Sequence, residues 1–507
     1  MIQKRRLLIN AIMSIGQILL SSCTLFILYR FLLNTIGVEK MGIWSLVLAT
    51  TAITRIGGLG LPGSVVKFVA KYVAHAEYET VSLVIQTAVI SIGLVIGLVL
   101  LAAYPLADWL LAFIVPERRI MDAISILPYA FISLWIVTIS SIFQAGLDGY
   151  QRIDLRNLIS MGGAVLYLIL CFVLVPTYGL LGLAYAQIIQ VTAILIAGCY
   201  SLRLYLQILP VIPYRWNRPL FREMFGYGIN IQIASVSNLL YDPITKALLS
   251  TFGGLAMVGY YEMASRMIYQ VRSLIVSANQ VLVPVIADLH ERGKEAILDV
   301  YKDSYHLLFF ITLIFFSLIA ALTPIISEIW IGYYENTFVF FSLLLAVGWS
   351  LNILNAPAYV ANLGIGVLRF NTFAHIMIGL LNALLGFTLG SLYGGTGVIV
   401  GWVFSLALGS SIICISFHLV HRIPFWELLP RESIGVGFAC LVGVCVALVL
   451  YYRLHYSWHL PELTIVILAI MFAVQGIPAW AHPMRKRLAG WFVNELLHRK
   501  KEMEYIG

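Results

Sequence analysis

The sequence predicts an all-α polytopic membrane protein: about fourteen transmembrane helices, forming two pseudo-symmetric lobes of six helices and two further helices at the C-terminus. Composition, the distribution of basic residues and an internal repeat predict this class. Of the 507 residues, 61% are hydrophobic and 11% are charged, whereas soluble domains carry about 25% charged residues. Because the mean hydropathy is +0.93 and apolar runs of about 20 residues recur, we expect helices rather than barrel strands to span the bilayer.

Fourteen segments are long and apolar enough to be counted as spans, although the second, seventh and eighth are less purely apolar than the others. The connections between them are short, and the longest polar ones cover residues 60–80, 203–222 and 284–304. The predicted spans are residues 9–33, 41–59, 80–104, 123–145, 157–176, 180–202, 223–244, 255–283, 305–327, 338–361, 372–393, 397–418, 434–452 and 462–481.

The basic residues indicate the orientation of these spans. With the N-terminus in the cytoplasm, 24 of the 32 Lys and Arg residues fall on cytoplasmic ends and loops, six fall outside and two lie within the eighth span. Cytoplasmic loops are normally enriched in Lys and Arg, so both termini are predicted to be cytoplasmic. The basic and apolar tail, residues 485–507, is predicted to form an amphipathic helix on the anionic inner leaflet, and no soluble basic domain is present to bind nucleic acid.

An internal repeat of about 215 residues is visible in two places. The segment "YRFLLNTIGVEKMGIWSL" (29–46) aligns with "TKALLSTFGGLAMVGYYEM" (245–263) when one insertion is allowed, and "YGLLG" (178–182) aligns with "YGGTG" (393–397). Arg55 and Arg272 each follow the second glycine of the first pair of segments by thirteen residues. The alignment pairs Gly37 with Gly253, Gly42 with Gly259, and Arg30 with Lys246.

A period of this length contains six spans, an even number, so both copies should cross the membrane in the same direction. Two parallel lobes around a cleft suit transport by alternating access. The predicted organisation is a first lobe at 1–203, a cytoplasmic linker at 204–222, a second lobe at 223–420, helices 13 and 14 at 421–484, and the tail at 485–507.

Charged residues within the spans are the candidate binding groups. A charge at the centre of a span costs about 2.5–3.5 kcal/mol on insertion scales, so it is expected to face a cavity or a partner. Arg55, Arg266 and Arg272 lie inside predicted spans, and Arg30 and Lys246 lie nearer the outer ends. This cationic excess suits an anionic ligand, because the planar fork of arginine donors matches phosphate oxygens.

Structural roles for the same charges remain open. Arg55 is close enough to a span end to snorkel to the inner interface, and Arg30 and Lys246 could anchor the outer interface. Few carboxylates lie at matching depth, chiefly Asp242 and Glu262. Glu262 could pair with Arg266, four residues further along the same helix.

Uncharged polar residues on the spans are candidates for contacts with sugars. Such residues also join helices to one another, so both roles are retained. Pro243, in "YDPIT" (241–245), is a candidate hinge because proline can kink a helix. The polar candidates are Gln17, Asn34, Asn230, Gln232, Asn238 and Tyr241 on spans 1 and 7, with Asp242 and Glu262, and Asn352 and Asn355 on span 10.

Three stretches resemble one family. They are "LLNTIGVEKMGIWSLVLATTAITRIGGLGLPGSVVKFVAKY" (32–72), "SIFQAGLDGYQRIDLRNLI" (141–159) followed by "VPTYGLLGLAYAQ" (175–187), and "VPVIADLHERGKEAILDVY" (283–301). Over residues 8–480 the chain is similar to Wzx-type polysaccharide flippases, in the superfamily of multidrug and toxic compound extrusion (MATE) transporters and the lipid II flippase. The resemblance implies a V-shaped, MATE-like bundle whose lumen is lined by arginines of helices 1, 2 and 8, here Arg30, Arg55, Arg266 and Arg272.

The resemblance also implies a substrate and a setting. The substrate would be an undecaprenyl-diphosphate-linked oligosaccharide, moved from the inner to the outer leaflet of a bacterial plasma membrane for O-antigen, capsule or exopolysaccharide synthesis. The implied partners are membrane lipids and the polymerase and glycosyltransferases of that pathway, with the flippase itself a monomer.

No enzyme signature or cofactor site is recognised. The sequence has no GxxxxGK[ST] loop, so we expect no ATP hydrolysis, and the six cysteines lack metal-ligand spacing. The energy source is open, with H⁺ or Na⁺ as possible coupling ions. The alternatives are a lipid II-type precursor flippase, a cation-coupled multidrug exporter, for which the first lobe lacks acidic lumen residues, and a membrane-embedded glycosyltransferase or polymerase, for which the outer loops are too short.

Overall fold

The computed structural model describes residues 2–52, 60–239, 241–280, 286 and 294–485, and within these helices it leaves the side chains of 2–12, 229–239, 277–280 and 294–296 undescribed. The described residues form α-helices and three short 3-10 turns, without strands. The helices are α1 Ile2–Ile36, α2 Val38–Ala52, α3 Leu61–Ala74, α4 Tyr78–Ile114, α5 Ile120–Gly149, α6 Ile153–Tyr178, α7 Leu180–Tyr205, α8 Arg218–Leu239, α9 Tyr241–Gly253, α10 Leu255–Gln280, α11 Lys294–Ile331, α12 Asn336–Leu354, α13 Ala356–Ile365, α14 Arg369–His421, α15 Ile434–Leu454 and α16 Leu460–Ala481.

The all-α, multi-pass class is confirmed, but the number of spans is not fixed at fourteen. Within the described ranges, ten helical segments are long and apolar enough to cross a membrane, and one of them, α14, covers two predicted spans. The helices α2, α8 and α10, which contain the less apolar second, seventh and eighth spans, are not among the ten. Helix α2 has only 15 residues and is too short to be counted, whereas α8 and α10 are long enough but less apolar than the ten.

The helix boundaries repeat along the chain, as the sequence predicts. Apart from the end of α2 and both ends of α3, each helix boundary in residues 2–205 has a counterpart 215 to 217 positions later. Helix α10 runs unbroken past the positions equivalent to the end of α2 and the start of α3, and the position equivalent to the end of α3 lies outside the described residues. For example, α4 begins at Tyr78 and α11 at Lys294, and α4 ends at Ile114 and α11 at Ile331. The long α14 corresponds to α6 and α7 together, because Gly394 interrupts it with a φ of 66° where Gly179, between α6 and α7, has a φ of 56°.

Two predicted boundaries are wrong. The predicted seventh span ends at residue 244, but helix α9 continues from Tyr241 to Gly253 and so contains Lys246 well inside the helix. The segment 60–80, predicted to be a polar connection, contains α3, which follows Gly60 and begins with Leu61 and Pro62. Proline is tolerated in the first helical turn because the N–H groups of that turn have no partner within the helix.

The chain divides into two compact units. The first consists of Met1–Met263 and His375–Ser405, and the second of Ala264–Ala374 and Leu406–Gly507. These units do not coincide with the predicted lobes, whose division stays a prediction. In the second unit the C-terminal helices α15 and α16 pack on α11 through Ala321, Tyr451 and Ile467. The tail beyond residue 485 lies outside the described residues.

Candidate functional site

Two helix pairs of the first unit have the same turn. Helices α1 and α2 are separated by Gly37 alone, and α9 and α10 by Gly254 alone. Both glycines have a φ of 82°, which is the left-handed conformation that commonly ends a helix. The repeat therefore pairs Gly37 with Gly254, at an offset of 217. The alignment predicted from the sequence, which pairs Gly37 with Gly253, is therefore displaced by one residue from the pairing in the structure.

The second helices of these two pairs cross with their backbones in contact. A Cβ atom built on Gly42 of α2 would lie 2.1 Å from the carbonyl oxygen of Leu255. A Cβ atom on Gly259 of α10 would lie 2.4 Å from the carbonyl oxygen of Val38. Because these contacts are reciprocal, the start of α2 lies directly against the start of α10, and glycine is required at both positions.

A buried ion pair lies close to this crossing. The Lys246 Nζ atom on α9 is 2.7 Å from Oε2 of Glu262 on α10. Tyr29 Oη donates a hydrogen bond to Oε1 of Glu262 at 3.0 Å, and Ser45 Oγ donates to Oε2 at 2.8 Å. Only 3% of Lys246 and 4% of Glu262 are exposed, so the pair is desolvated, and both hydroxyl groups that donate to it come from the first repeat.

A second carboxylate, on Asp242, completes this Lys246 cluster, which consists of Tyr29, Ser45, Asp242, Lys246 and Glu262. Asp242 Oδ2 is 2.5 Å from Lys246 Nζ, and the Asp242 side chain is 48% exposed. One lysine therefore faces two carboxylates. With all three groups ionised the cluster carries a net negative charge, so Lys246 does not provide the unpaired cation that its position in a span suggests.

The Lys246 cluster follows the internal repeat. At an offset of 217, Tyr29 corresponds to Lys246 and Ser45 corresponds to Glu262. The first repeat thus supplies two neutral donors at the positions where the second repeat supplies an ion pair. The sequence alignment is displaced by one residue before its insertion, so it pairs Arg30 instead of Tyr29 with Lys246. Matching the positive-φ glycines corrects this register.

Tyr241 lies in a contact between helices. Its hydroxyl group donates to the carbonyl oxygen of His375 at 2.8 Å and lies 3.0 Å from His375 Nδ1. The Asn382 side chain donates to the Tyr241 carbonyl oxygen at 3.2 Å and to Thr245 Oγ1 at 3.0 Å. These bonds connect α9 to the first half of α14. Pro243 lies in the first turn of α9, and its role as a hinge stays a prediction.

The second unit contains a different arginine site, the Arg272 cluster of Tyr269, Arg272, Trp349 and Asn352. The Arg272 Cζ atom is 4.6 Å from the Trp349 ring centroid and 5.6 Å from that of Tyr269. Its Nε and Nη2 atoms donate to Asn352 Oδ1 at 3.4 and 3.3 Å. The ion pairs found in the described part of the chain do not include Arg272, so its charge is held by rings and an amide rather than by an acid.

The structure does not bring the remaining candidates into one site. Arg30, Asn34 and Arg266 are exposed, and Gln17 is half-buried. Asn355 is buried and donates to the Leu351 carbonyl oxygen at 2.8 Å and to Ser410 Oγ at 3.2 Å, which is a helix-joining contact. Candidates that lie outside the described residues or side chains are Arg55, Asn230, Gln232 and Asn238.

Comparisons with known proteins place this arrangement in context. The family described as polysaccharide biosynthesis protein matches residues 7–290. An inward-facing MATE family multidrug transporter of the MOP superfamily is similar in structure, with a TM-score of 0.71 at 16% identity over 79% of this chain and 96% of that chain. The inward-closed lipid II flippase MurJ gives a TM-score of 0.69 at 13% identity over 97% of this chain and 100% of that chain.

A third similar structure is a MOP superfamily transporter from Pyrococcus furiosus, whose binding pocket is described as having reversed polarity. It gives a TM-score of 0.59 at 16% identity and covers 82% of this chain and 95% of that chain. At these identities the three structures establish the fold. No curated protein sequence matches the chain.

Proposed function

Since the chain belongs to the polysaccharide biosynthesis protein family, we propose that it flips an undecaprenyl-diphosphate-linked oligosaccharide across the bacterial plasma membrane by alternating access. Movement is from the inner to the outer leaflet, for the synthesis of a surface polysaccharide, and both termini are cytoplasmic. The family match supports a role in polysaccharide biosynthesis, and the multi-pass helical fold supports transport. The proposal adds the nature of the glycan, its diphosphate-linked lipid carrier, the direction of movement and the plasma membrane as the location.

The Arg272 cluster is the observation that favours a phosphorylated glycan. Arginine binds phosphate oxygens with a planar fork of donors, and aromatic rings such as Trp349 and Tyr269 offer apolar faces on which sugar rings can stack. The rings and Asn352 already orient the guanidinium group. Because no carboxylate neutralises Arg272 among the residues described, its charge remains available to a diphosphate.

The Lys246 cluster is proposed to act differently, as a latch between the two repeats. Its residues other than Asp242 lie eight positions before and after the turns at Gly37 and Gly254, or about 12 Å along the helices at 1.5 Å per residue. The basic residues predict that these turns face outward. A passage that opened there between the repeats would separate Glu262 from Tyr29 and Ser45, so the intact cluster favours a closed outer end.

A lipid II-type precursor is the second candidate substrate, because the lipid II flippase MurJ aligns with 97% of this chain and along its own full length. Both candidates are lipid-linked sugars, so the Arg272 cluster suits each of them. Assays that offer each precursor separately would distinguish the two. In either case, H⁺ and Na⁺ remain the proposed coupling ions.

Replacing Arg272 by alanine is expected to slow translocation of a labelled undecaprenyl-diphosphate sugar in proteoliposomes by about 10- to 100-fold. Hydrogen bonds to charged groups contribute about 1.5–3 kcal/mol, and each 1.4 kcal/mol corresponds to about a factor of ten. Arg272→Lys should retain part of the rate, because lysine keeps the charge but loses the fork and the ring stacking.

Arg118→Ala is the control for this experiment, because Arg118 is an exposed arginine whose nearest carboxylate oxygen, on Glu39, is 4.0 Å away. It should leave the translocation rate unchanged. Wild-type rates in Arg272→Ala with both lipid-linked precursors would exclude Arg272 as the diphosphate-binding residue.

A further inference from the structure

A cavity of about 230 Å³ lies in the second unit, and its lining includes none of the residues of the Arg272 cluster. It lies between the two ends of α14, the end of α13 and the beginning of α11. Its polar walls include Arg369, Ser416 and His421, and its apolar walls include Ile365, Phe370 and Val420. The cavity is therefore amphiphilic, with cationic or titratable groups beside apolar surface.

The kink in α14 brings these walls together. Gly394 interrupts the helix, and beyond it a Cβ atom on Gly397 would lie 2.0 Å from the Leu389 carbonyl oxygen, while one on Gly401 would lie 2.8 Å from that of Leu385. The two halves thus pack against each other in an antiparallel arrangement. Consequently Arg369, the first residue of α14, lies near His421, the last.

Arg369 is exposed, with its Cζ atom 4.6 Å from the Phe370 ring centroid. It forms none of the ion pairs found within the described ranges. His421 is held against Phe417, with the ring centroids 4.3 Å apart. Among the residues described, Arg369 has no acidic partner, and its guanidinium group beside the His421 imidazole suits a phosphate group. The Ser416 hydroxyl donates to the Ile413 carbonyl oxygen at 3.0 Å and is not one of the donors.

Exposed apolar residues of α14 lie beside the cavity within the second unit. Phe373 is exposed three residues after Phe370 of the cavity wall. Near the other end of the helix, Leu408, Ile415 and Leu419 are exposed at helical spacing and form one face. A ligand with its phosphate at Arg369 would therefore have apolar surface on which to place hydrocarbon chains.

We propose that this cavity binds a lipid phosphate in the cytoplasmic leaflet, with the phosphate on Arg369 and His421 and the chains along α14. The basic residues predict that this end of α14 is cytoplasmic. Two sources share the chemistry, an anionic phospholipid and a polyprenyl phosphate. The site involves the flank of the second unit and does not depend on the transported glycan.

The test measures lipid retention by the full-length protein in nanodiscs, with native mass spectrometry as the readout. Phosphatidylglycerol and undecaprenyl phosphate are offered separately and in competition, against phosphatidylcholine as the reference. Arg369→Gln is expected to lower retention of the favoured anionic lipid about tenfold, since a charge-assisted bond to phosphate is lost, and Arg369→Lys is expected to keep most of it.

Arg422→Gln is the matched control, because Arg422 is an exposed arginine directly after α14 but does not line the cavity. A loss of anionic-lipid retention in Arg369→Gln but not in Arg422→Gln supports the site. The lipid that is retained preferentially in the competition is the source of the bound phosphate. Equal loss in Arg369→Gln and Arg422→Gln would show only a basic surface and overturn the proposal. Equal retention of phosphatidylcholine by the wild-type protein would also overturn it.

Discussion

Replacing Lys246 by methionine is expected to lower the free energy of unfolding by about 3–5 kcal/mol, as measured by equilibrium unfolding in mixed detergent micelles. Removing one partner of a buried ion pair leaves the other charge desolvated and uncompensated, which typically costs this amount. Here Glu262 would remain 4% exposed and would lose its lysine partner, while it keeps the neutral donors Tyr29 and Ser45. Methionine keeps much of the length of the lysine side chain. The loss of stability would therefore result from the missing positive charge rather than from a cavity.

The other members of the Lys246 cluster should give a graded series. Glu262→Gln is expected to cost less than Lys246→Met, because Lys246 retains Asp242 at 2.5 Å. Asp242→Asn is the matched control: it removes a carboxylate from the same lysine, but one whose side chain is 48% exposed, and exposed pairs contribute about 0–1 kcal/mol. Equal stabilities for Lys246→Met and Asp242→Asn would contradict the buried pair.

The same series should affect transport through the proposed latch. A change of 3 kcal/mol in the balance between two conformations alters their ratio by more than about 100-fold. Lys246→Met should therefore favour an open outer end and slow translocation in proteoliposomes. The exchange Lys246→Glu with Glu262→Lys restores opposite charges and should recover part of the rate. A variant that is destabilised yet transports at the wild-type rate would show that Lys246 and Glu262 are structural only.

The fold follows from the sequence more directly than the site does. The spacing and polarity of the residues suffice to predict the repeat, because the apolar face of each helix and the glycine or proline at its end determine where that helix begins and ends. The recurrence of helix boundaries at 215 to 217 residues needs no knowledge of side-chain contacts. The seventh span was ended too early at residue 244 because Asp242 and Lys246 lower its hydropathy, whereas in the structure these two residues satisfy each other within the helix.

The Lys246 cluster includes contacts between residues more than 200 positions apart, and small errors in register change these contacts completely. Moving the alignment by one residue replaces Tyr29 by Arg30, and successive residues on a helix point about 100° apart. Tyr29 contacts Glu262, whereas Arg30 is exposed. The sequence predicts that Lys246 and Arg272 are costly charges within spans. Composition does not show that Lys246 pairs with a carboxylate, or that aromatic rings contact Arg272.

Replacing Gly42 or Gly259 by alanine is expected to destabilise the protein by about 1–3 kcal/mol each, the usual cost of inserting a methyl group into a fully packed contact. The added Cβ atoms would lie 2.1 and 2.4 Å from backbone carbonyl oxygens, so α2 and α10 must move apart. Equilibrium unfolding measures this cost. Gly16→Ala on α1 is the matched control, because nothing lies within 4 Å of its Cβ position and alanine favours a helix.

The double variant provides the stricter test of the crossing. Because Gly42 and Gly259 occupy one reciprocal contact, the separation forced by the first alanine already relieves part of the clash of the second. The double variant should therefore lose less free energy of unfolding than the sum of the losses of the two single variants. For two distant sites, the double variant would match that sum within about 0.3–0.5 kcal/mol. The same separation would lengthen the reach from Ser45 on α2 to Glu262 on α10, 2.8 Å in the native protein, so each alanine should also weaken the Lys246 cluster. Full additivity, or alanine variants as stable as Gly16→Ala, would show that α2 and α10 do not touch at these glycines.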